Sequence, residues 1–398
     1  MKVLLLSFYF RPDLCAGSFR NTAFVESLQK KLPKGSCIDV ITTLPNRYSS
    51  FDVDAPKDEC IDGVRVKRVA LPEHESGMID QSRSYMTFAL AVREHVANQS
   101  YDIVVASSSR LMTAALGAWV ARRKNIPLYL DVRDIFVDTI KDVLPRRLAP
   151  MMMVFFSWVE RWTLMRANRL NVVSAGFLPY FEERYPAVSK VVFTNGIDDE
   201  FLTSSATNGV VSGHDAGEKT IVNILYAGNM GEGQGLHNII PALAKNMEGR
   251  ATFRLIGDGG RKGRLEDAVR VAGCNNVLIS QPVSRMELKE AYEKADVLFL
   301  HLNNYQAFRK VLPSKLFEYG ALGKPIWAGV AGYPAKFISE EMDNVAVFSP
   351  CDSDEAIQAF ENLVIADTPR PSFVEKFSRR RIMDSMADDL LSLLDTHI

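Results

Sequence analysis

The segment IVNILYAGNMGEGQG (Ile221–Gly235) sets an apolar run directly against a cluster of glycines. The run Ile221–Ala227 has little of the apolar–polar alternation of a half-exposed strand. It reads as a strand buried on both faces, the kind found inside a parallel sheet. Gly228, Gly231, Gly233 and Gly235 follow, and a helix is expected from near Leu236. Glycines let the backbone approach a ligand closely and expose N–H groups, and a helix N-terminus behind them favours an anion. A plain tight turn is the alternative, although four glycines in eight residues exceed what a turn requires.

The same grammar repeats along the chain. Strand candidates are Val3–Phe10, Ile38–Thr42, Val64–Ala70, Ile103–Ala106, Leu128–Val132, Leu170–Val173 and Val191–Phe193, and then Ile221–Ala227, Thr252–Ile256, Val277–Ser280, Val297–Leu300, Ile326–Ala328 and Val345–Phe348. Helical periodicity fills the gaps, as in Asn21–Lys31 and Met112–Arg123. Ser284 and Glu287 have capping-box spacing and open a helix running toward Lys294. Alternating β and α elements give an α/β fold. Thr203–Lys219, TSSATNGVVSGHDAGEK, is polar and aperiodic and reads as a linker. The expected organisation is a Rossmann-like domain over 1–203, a linker over 204–219, a second Rossmann-like domain over 220–375, and a closing helix over 376–398 that packs back on the first domain. Two doubly wound domains with a cleft between them would bind ligands beyond the C-terminal strand ends.

The 398 residues, 47% hydrophobic and 24% charged with a net charge of -1, suit two globular cores and give no support for bulk nucleic-acid binding. Five scattered cysteines without a C-x-x-C argue against a disulfide framework or structural zinc and for a reducing compartment. No apolar run reaches the length of a membrane span. MKVLLLSFYF is read as a buried first strand rather than a leader, because Arg11 and Asp13 cut it short.

Four further loops can carry chemistry. LIGDGGRKGRL (Leu255–Leu265) adds Arg261, Lys262 and Arg264 to a glycine loop. Basic residues there suit a diphosphate, or simply a solvated helix start. LPSKLFEYGALGKP (Leu312–Pro325) places Pro313 at a first helical position and Gly323 just past the helix end. Ser314, Lys315 and Glu318 then share one face. Lys315 and the helix N-terminus would attract a phosphate, and Glu318 lies one turn deeper, about 5–6 Å along the axis. That step matches the distance from a diphosphate to a ribose, whose hydroxyls a carboxylate accepts well. An intrahelical Lys315–Glu318 pair is the other reading. YLDVRDIF (Tyr129–Phe136) ends an apolar strand on Asp131, Arg133 and Asp134, which can orient a substrate, act as a base or pair with one another. SFYFRPDLCAGSFRN (Ser7–Asn21) puts Gly17 and Ser18 before a helix facing the same cleft.

Arg146–Arg169 mixes basic and bulky apolar residues. It suits an amphipathic helix meeting an anionic membrane surface, and equally a buried domain helix. The six histidines contain no metal-spaced pair. His301, at a strand end, is read as a core or solvated side chain.

On these segments, with IDGVRVKRV and TNGID (Thr194–Asp198), the chain resembles the family 4 glycosyltransferases of GT-B fold. It is most similar to the subgroup that builds bacterial O-antigen and capsule sugars, including N-acetylfucosamine transferases. The resemblance implies transfer from a nucleotide-sugar donor, usually with retention and without a bound metal or other cofactor. Glu318 matches the second glutamate of the family's E-x7-E motif, which binds the donor ribose, and Lys310 stands where the first belongs. Ser314, Lys315 and Leu316 would approach the diphosphate. The implied donor site also takes in Gly228, Asn229, Gln234, Gly257, Asp258 and Val283. Asn229 and Gln234 occupy the positions of the family's phosphate-binding arginine and lysine, so Arg261 or Lys262 is expected to supply the missing charge. Arg133 replaces a family histidine, and Arg133 and Asp134 are expected to position sugar or acceptor beside Gly17 and Ser18.

The expected activity is transfer of an N-acetylated hexosamine or 6-deoxyhexosamine from a UDP-sugar. The acceptor would be a polyprenyl-diphosphate-linked or other saccharide, at the cytoplasmic face of the inner membrane. Basic side chains and loop N–H groups would stabilise the departing nucleotide. The alternatives are a nucleotide-sugar 2-epimerase, a nicotinamide-dependent oxidoreductase, and a noncatalytic nucleotide-sugar-binding component of an envelope-assembly complex.

Overall fold

The computed structural model describes residues 1–13, 15–45, 55–72, 78–108, 110–138, 149–202 and 221–395. The linker stretch Thr203–Lys219 lies outside them. The chain forms two compact units, one of Met1–Gly196 with Arg379–Ile398 and one of Ile197–Ser378.

The first unit is built on β1 (Lys2–Leu6), β2 (Cys37–Thr43), β3 (Asp58–Ile61), β4 (Val64–Val69), β5 (Ile103–Ser108), β6 (Leu128–Val132), β7 (Arg169–Val172) and β8 (Lys190–Val192), ordered β3-β4-β2-β1-β5-β6-β7-β8. All neighbours are parallel except β3 with β4. Val3 and Leu5 are buried among Phe24, Val25 and Leu28 of the Ala16–Lys31 helix. The Arg379–Asp395 helix closes the same core with Met383, Met386, Leu390 and Leu394. Their spacing of three and four residues is that of one helical stripe.

The second unit is wholly parallel: β9 (Val222–Ala227), β10 (Ala251–Ile256), β11 (Val277–Ser280), β12 (Val297–His301), β13 (Ile326–Gly329) and β14 (Val345–Phe348), ordered β11-β10-β9-β12-β13-β14. Ile224 and Tyr226 of β9 pack against Leu236, Ile239, Ile240 and Leu243 of the Leu236–Asn246 helix. The strand order reverses beside β1 in the first sheet and beside β9 in the second. Loops leaving such switch points open a crevice at the strand ends.

Two strand expectations change. β1 stops at Leu6, short of Phe10. Past it, side chains take over the backbone bonding: Ser7 Oγ and Asn21 Nδ2 donate to the Tyr9 carbonyl, and Thr43 Oγ1 donates to that of Phe8. β3 was not foreseen. It is short, largely polar and antiparallel at the sheet edge. Its turn, Asp62-Gly63, holds both residues at positive φ, 48° and 82°, the conformation that Asp-Gly favours in tight hairpins.

Candidate functional site

In the second unit, β9 delivers the chain into Gly228 at φ 145°. A Cβ there would lie 1.7 Å from Lys315 Nζ and 2.0 Å from its Cε. Gly257 (φ 153°) is as tight, since its Cβ would fall 1.8 Å from the Gly228 carbonyl oxygen. Both positions favour glycine by their backbone conformation, and Gly257 requires it sterically as well, because its Cβ would meet backbone. They bring both glycine loops and the Lys315–Leu322 helix to one place.

Lys315 is the cation at this junction. It is half-buried, lies 5.8 Å from the centre of the Tyr226 ring, and makes no hydrogen bond or ion pair among the described residues. Burial lowers its pKa, and Glu318 partly offsets the shift. The helix starts two residues later than expected: Ser314 is the N-cap and Lys315 the first helical residue, so Pro313 lies outside. Gly323 ends it in the left-handed region at φ 70°, as its position suggested. Leu316 is fully buried.

Glu318, 15% exposed, has partners in the protein that the sequence analysis did not assign. Tyr292 Oη donates to Oε2 at 3.1 Å, and Arg285 Nη1 stands 3.9 Å from Oε1. Arg285 is also paired with Asp198 at 3.1 Å and donates from Nε to Glu200 at 2.6 Å. Burial raises the Glu318 pKa, and Arg285 and Lys315 act against it. The glutamate is therefore not held for a ligand alone. Arg285 was missed because it lies 33 positions away in sequence. The only local signal was the Ser284–Glu287 capping box, which forms as expected and starts the Arg285–Lys294 helix. Val283 is the half-buried residue just before that cap.

The expected substitutes for the missing charge have partners within the protein. Arg261 donates from Nε to Glu232 at 2.5 Å, and Glu232 also accepts from Tyr305 Oη at 2.6 Å. The buried Lys262 ammonium donates to the carbonyls of Gly257 and Ser280 at 3.3 and 3.4 Å. It ties strand ends together from below the loop. Asn229 Nδ2 donates to Gln234 Oε1 at 2.7 Å, and Gly231 N–H donates to the same oxygen at 3.2 Å. Where the resemblance implies two charges, the loop thus bonds to itself. Asp258 accepts from Gly259 N–H at 2.8 Å. His301 is structural: Nδ1 bonds the Gln234 carbonyl at 2.6 Å, Nε2 accepts from Cys351 N–H at 2.9 Å, and burial takes its pKa down to about 4.

In the first unit Asp131 is fully committed. Arg20 binds it through two nitrogens at 3.0 and 2.9 Å, and Asn171 Nδ2 donates at 2.6 Å. Arg133 does meet the helix start, for a Cβ on Gly17 would fall 2.5 Å from Arg133 Nη1. Burial lowers the Arg133 pKa to about 10, and its Nε has no hydrogen-bond partner among the described residues. Ser18 is buried and Asp134 half-buried. No group of three or more His, Cys, Asp or Glu side chains suited to a metal occurs among the described residues.

The paired parallel sheets with glycine loops at their switch points are those of a GT-B enzyme. Residues 33–196 match the glycosyl transferase 4-like domain and residues 214–380 match glycosyl transferases group 1. Between them the two matches take in most of the chain, which belongs to the glycosyltransferases built from these two domains. The structure is similar to sucrose-phosphate synthase from Thermosynechococcus elongatus (TM-score 0.73, 16% identity, 100% of each chain). It is also similar to Anabaena HepE, solved in complex with UDP-glucose (TM-score 0.65, 16% identity, 98% of this chain and 100% of that one). At such identities the likeness is one of fold. Over 100 residues the sequence is 36% identical to WcaI of Escherichia coli K12, described as a putative colanic acid biosynthesis glycosyl transferase. That match spans 25% of this chain and 24% of the relative.

Proposed function

We propose that the protein transfers a sugar from a UDP-sugar to a lipid-linked or other saccharide acceptor in the synthesis of bacterial surface polysaccharide. The observation that carries this reading is Lys315, whose ammonium stands beside Gly228 with no hydrogen bond or ion pair among the described residues, one turn ahead of Glu318. A donor diphosphate there would take its charge from Lys315 and its hydrogen bonds from loop N–H groups, and Glu318 would accept from the ribose. Lys315 and the loop dipoles would then stabilise the departing nucleoside diphosphate. The HepE complex supports a nucleotide-sugar donor, and the colanic acid relative supports a surface polysaccharide as the product's destination. The N-acetylated hexosamine or 6-deoxyhexosamine identity of the sugar, and retention at its anomeric carbon, rest on the family resemblance.

Thermal shifts with UDP, GDP, ADP, NAD and inorganic diphosphate test the site on the wild type, Glu318→Ala and Lys315→Met. At 100 times its dissociation constant a ligand stabilises by about 2.7 kcal/mol. The expected result is a UDP response in the wild type that both variants largely lose. A response to NAD but not UDP, or an intact UDP response in both variants, overturns the assignment. Transfer of labelled sugar to a polyprenyl-diphosphate acceptor then separates an enzyme from a binding component.

A further inference from the structure

The helix Ala149–Leu164 is inside out for a soluble surface helix. Met151, Val154, Phe155 and Trp158 stand 66, 74, 50 and 63% exposed, and Met165, just past its end, 62%. At 3.6 residues per turn these five fall within an arc of about 100°. The polar bonding lies on the other side. Glu160 is buried and accepts from the Tyr180 and Tyr185 hydroxyls at 2.7 and 2.9 Å. Thr163 is buried as well. A contiguous apolar face of this kind marks a contact surface rather than scattered exposure.

Its margins are basic. Arg161 is exposed along one edge of the stripe. On the other, the Arg166 guanidinium covers the Trp162 ring at 4.2 Å. The neighbouring helix Leu111–Lys124 contributes exposed Arg122 and Arg123, and Arg122 lies near enough to act electrostatically on Arg166. The helix's one acid, Glu160, is turned inward, so its outer face carries no carboxylate. Apolar residues with tryptophan at the centre and arginines at the rim match the layering of a headgroup region over acyl chains. No helix among the described residues is long and apolar enough to cross a membrane, so the helix would lie in the surface plane. A second copy is the poorer occupant, because a two-fold contact through this face would oppose like-charged rims.

We propose that this face docks the protein on an anionic phospholipid bilayer. Docking stands on the helix and its arginine rim, not on the donor site, so the two readings fail separately. The test is flotation of the full chain with vesicles of phosphatidylcholine alone and of phosphatidylcholine mixed with phosphatidylglycerol. The wild type is expected on the mixed vesicles and not on the neutral ones. Phe155→Ser with Trp158→Ser should weaken that binding about tenfold or more. Arg161→Gln should weaken it about fivefold, with binding falling as salt rises. Both variants should keep the UDP thermal response. Absence from the mixed vesicles, equal binding to neutral ones, or a wild-type dimer that the double variant converts to monomer would each overturn the proposal.

Discussion

Asp131 shows what one side chain can and cannot disclose. A charge at the end of an apolar strand marks a strand end worth attention, and YLDVRDIF offers three. That Asp131 is structural depends on Arg20, 111 positions earlier, whose guanidinium forks onto it. Burial acts to raise the Asp131 pKa, but the charge and hydrogen bonds of Arg20 prevail and hold it below the ordinary value. Because the folded pKa is depressed, the pair contributes full stability above the unfolded value of about 3.9 and loses it as pH falls further. Asp131→Asn leaves Arg20 buried without its counter-ion, which costs about 3–5 kcal/mol. Urea unfolding at neutral pH should show that loss, and the variant's acid limb should be shallower below pH 4. A variant as stable as the wild type would remove the pair from the account. The same lesson holds for the cations of the donor site. Sequence spacing drew attention to Arg261 and Lys262, yet one meets Glu232 and the other two carbonyls. Of these three, Lys315 alone has an ammonium with no hydrogen bond or ion pair among the described residues, beside Gly228.

At the scale of elements, local chemistry was legible wherever the residues that decide it are close in sequence. Ser284 Oγ accepts from Glu287 N–H, and Ser284 N–H donates to the Glu287 carboxylate at 2.9 Å. Ser284→Ala should cost about 1 kcal/mol in urea unfolding. It should also weaken UDP binding modestly, because the frayed turn carries Arg285 toward Glu318. Lost stability with unchanged UDP affinity would make the cap purely structural. Gly323 was equally readable, since only the few residues around it set its conformation. β3 escapes a reading based on apolar runs because it is short, largely polar and exposed, although Asp62-Gly63 is the turn its hairpin needs. β1 was drawn too long for a related reason: Ser7–Phe10 is as apolar as a strand, and only contacts to Asn21 and Thr43 end it.

Each of the two units has a hydrophobic core of its own. Met383, Met386, Leu390, Leu393 and Leu394 complete the first from the far end of the chain. Their burial is worth on the order of 10 kcal/mol gross, as much as the net stability of a typical domain. A chain ending before Arg379 should therefore lose cooperative unfolding of the Met1–Gly196 unit while the Ile197–Ser378 unit keeps its own transition. Two wild-type transitions in that truncated chain would show that the helix is dispensable. By itself the sequence determined the α/β class, most strands, the glycine loops, the helix cap and the identity of the family. Each depends on periodicity, backbone conformation or motifs set within a few neighbouring residues. Only the tertiary structure decided that Arg285 and Tyr292 stand beside Glu318, that Lys262 faces inward, that Asp131 belongs to Arg20, and that the Ala149–Leu164 helix wears its apolar face outward. Those outcomes turn on distances between residues remote in the chain and on which face of an element is covered, and neither is encoded in local spacing.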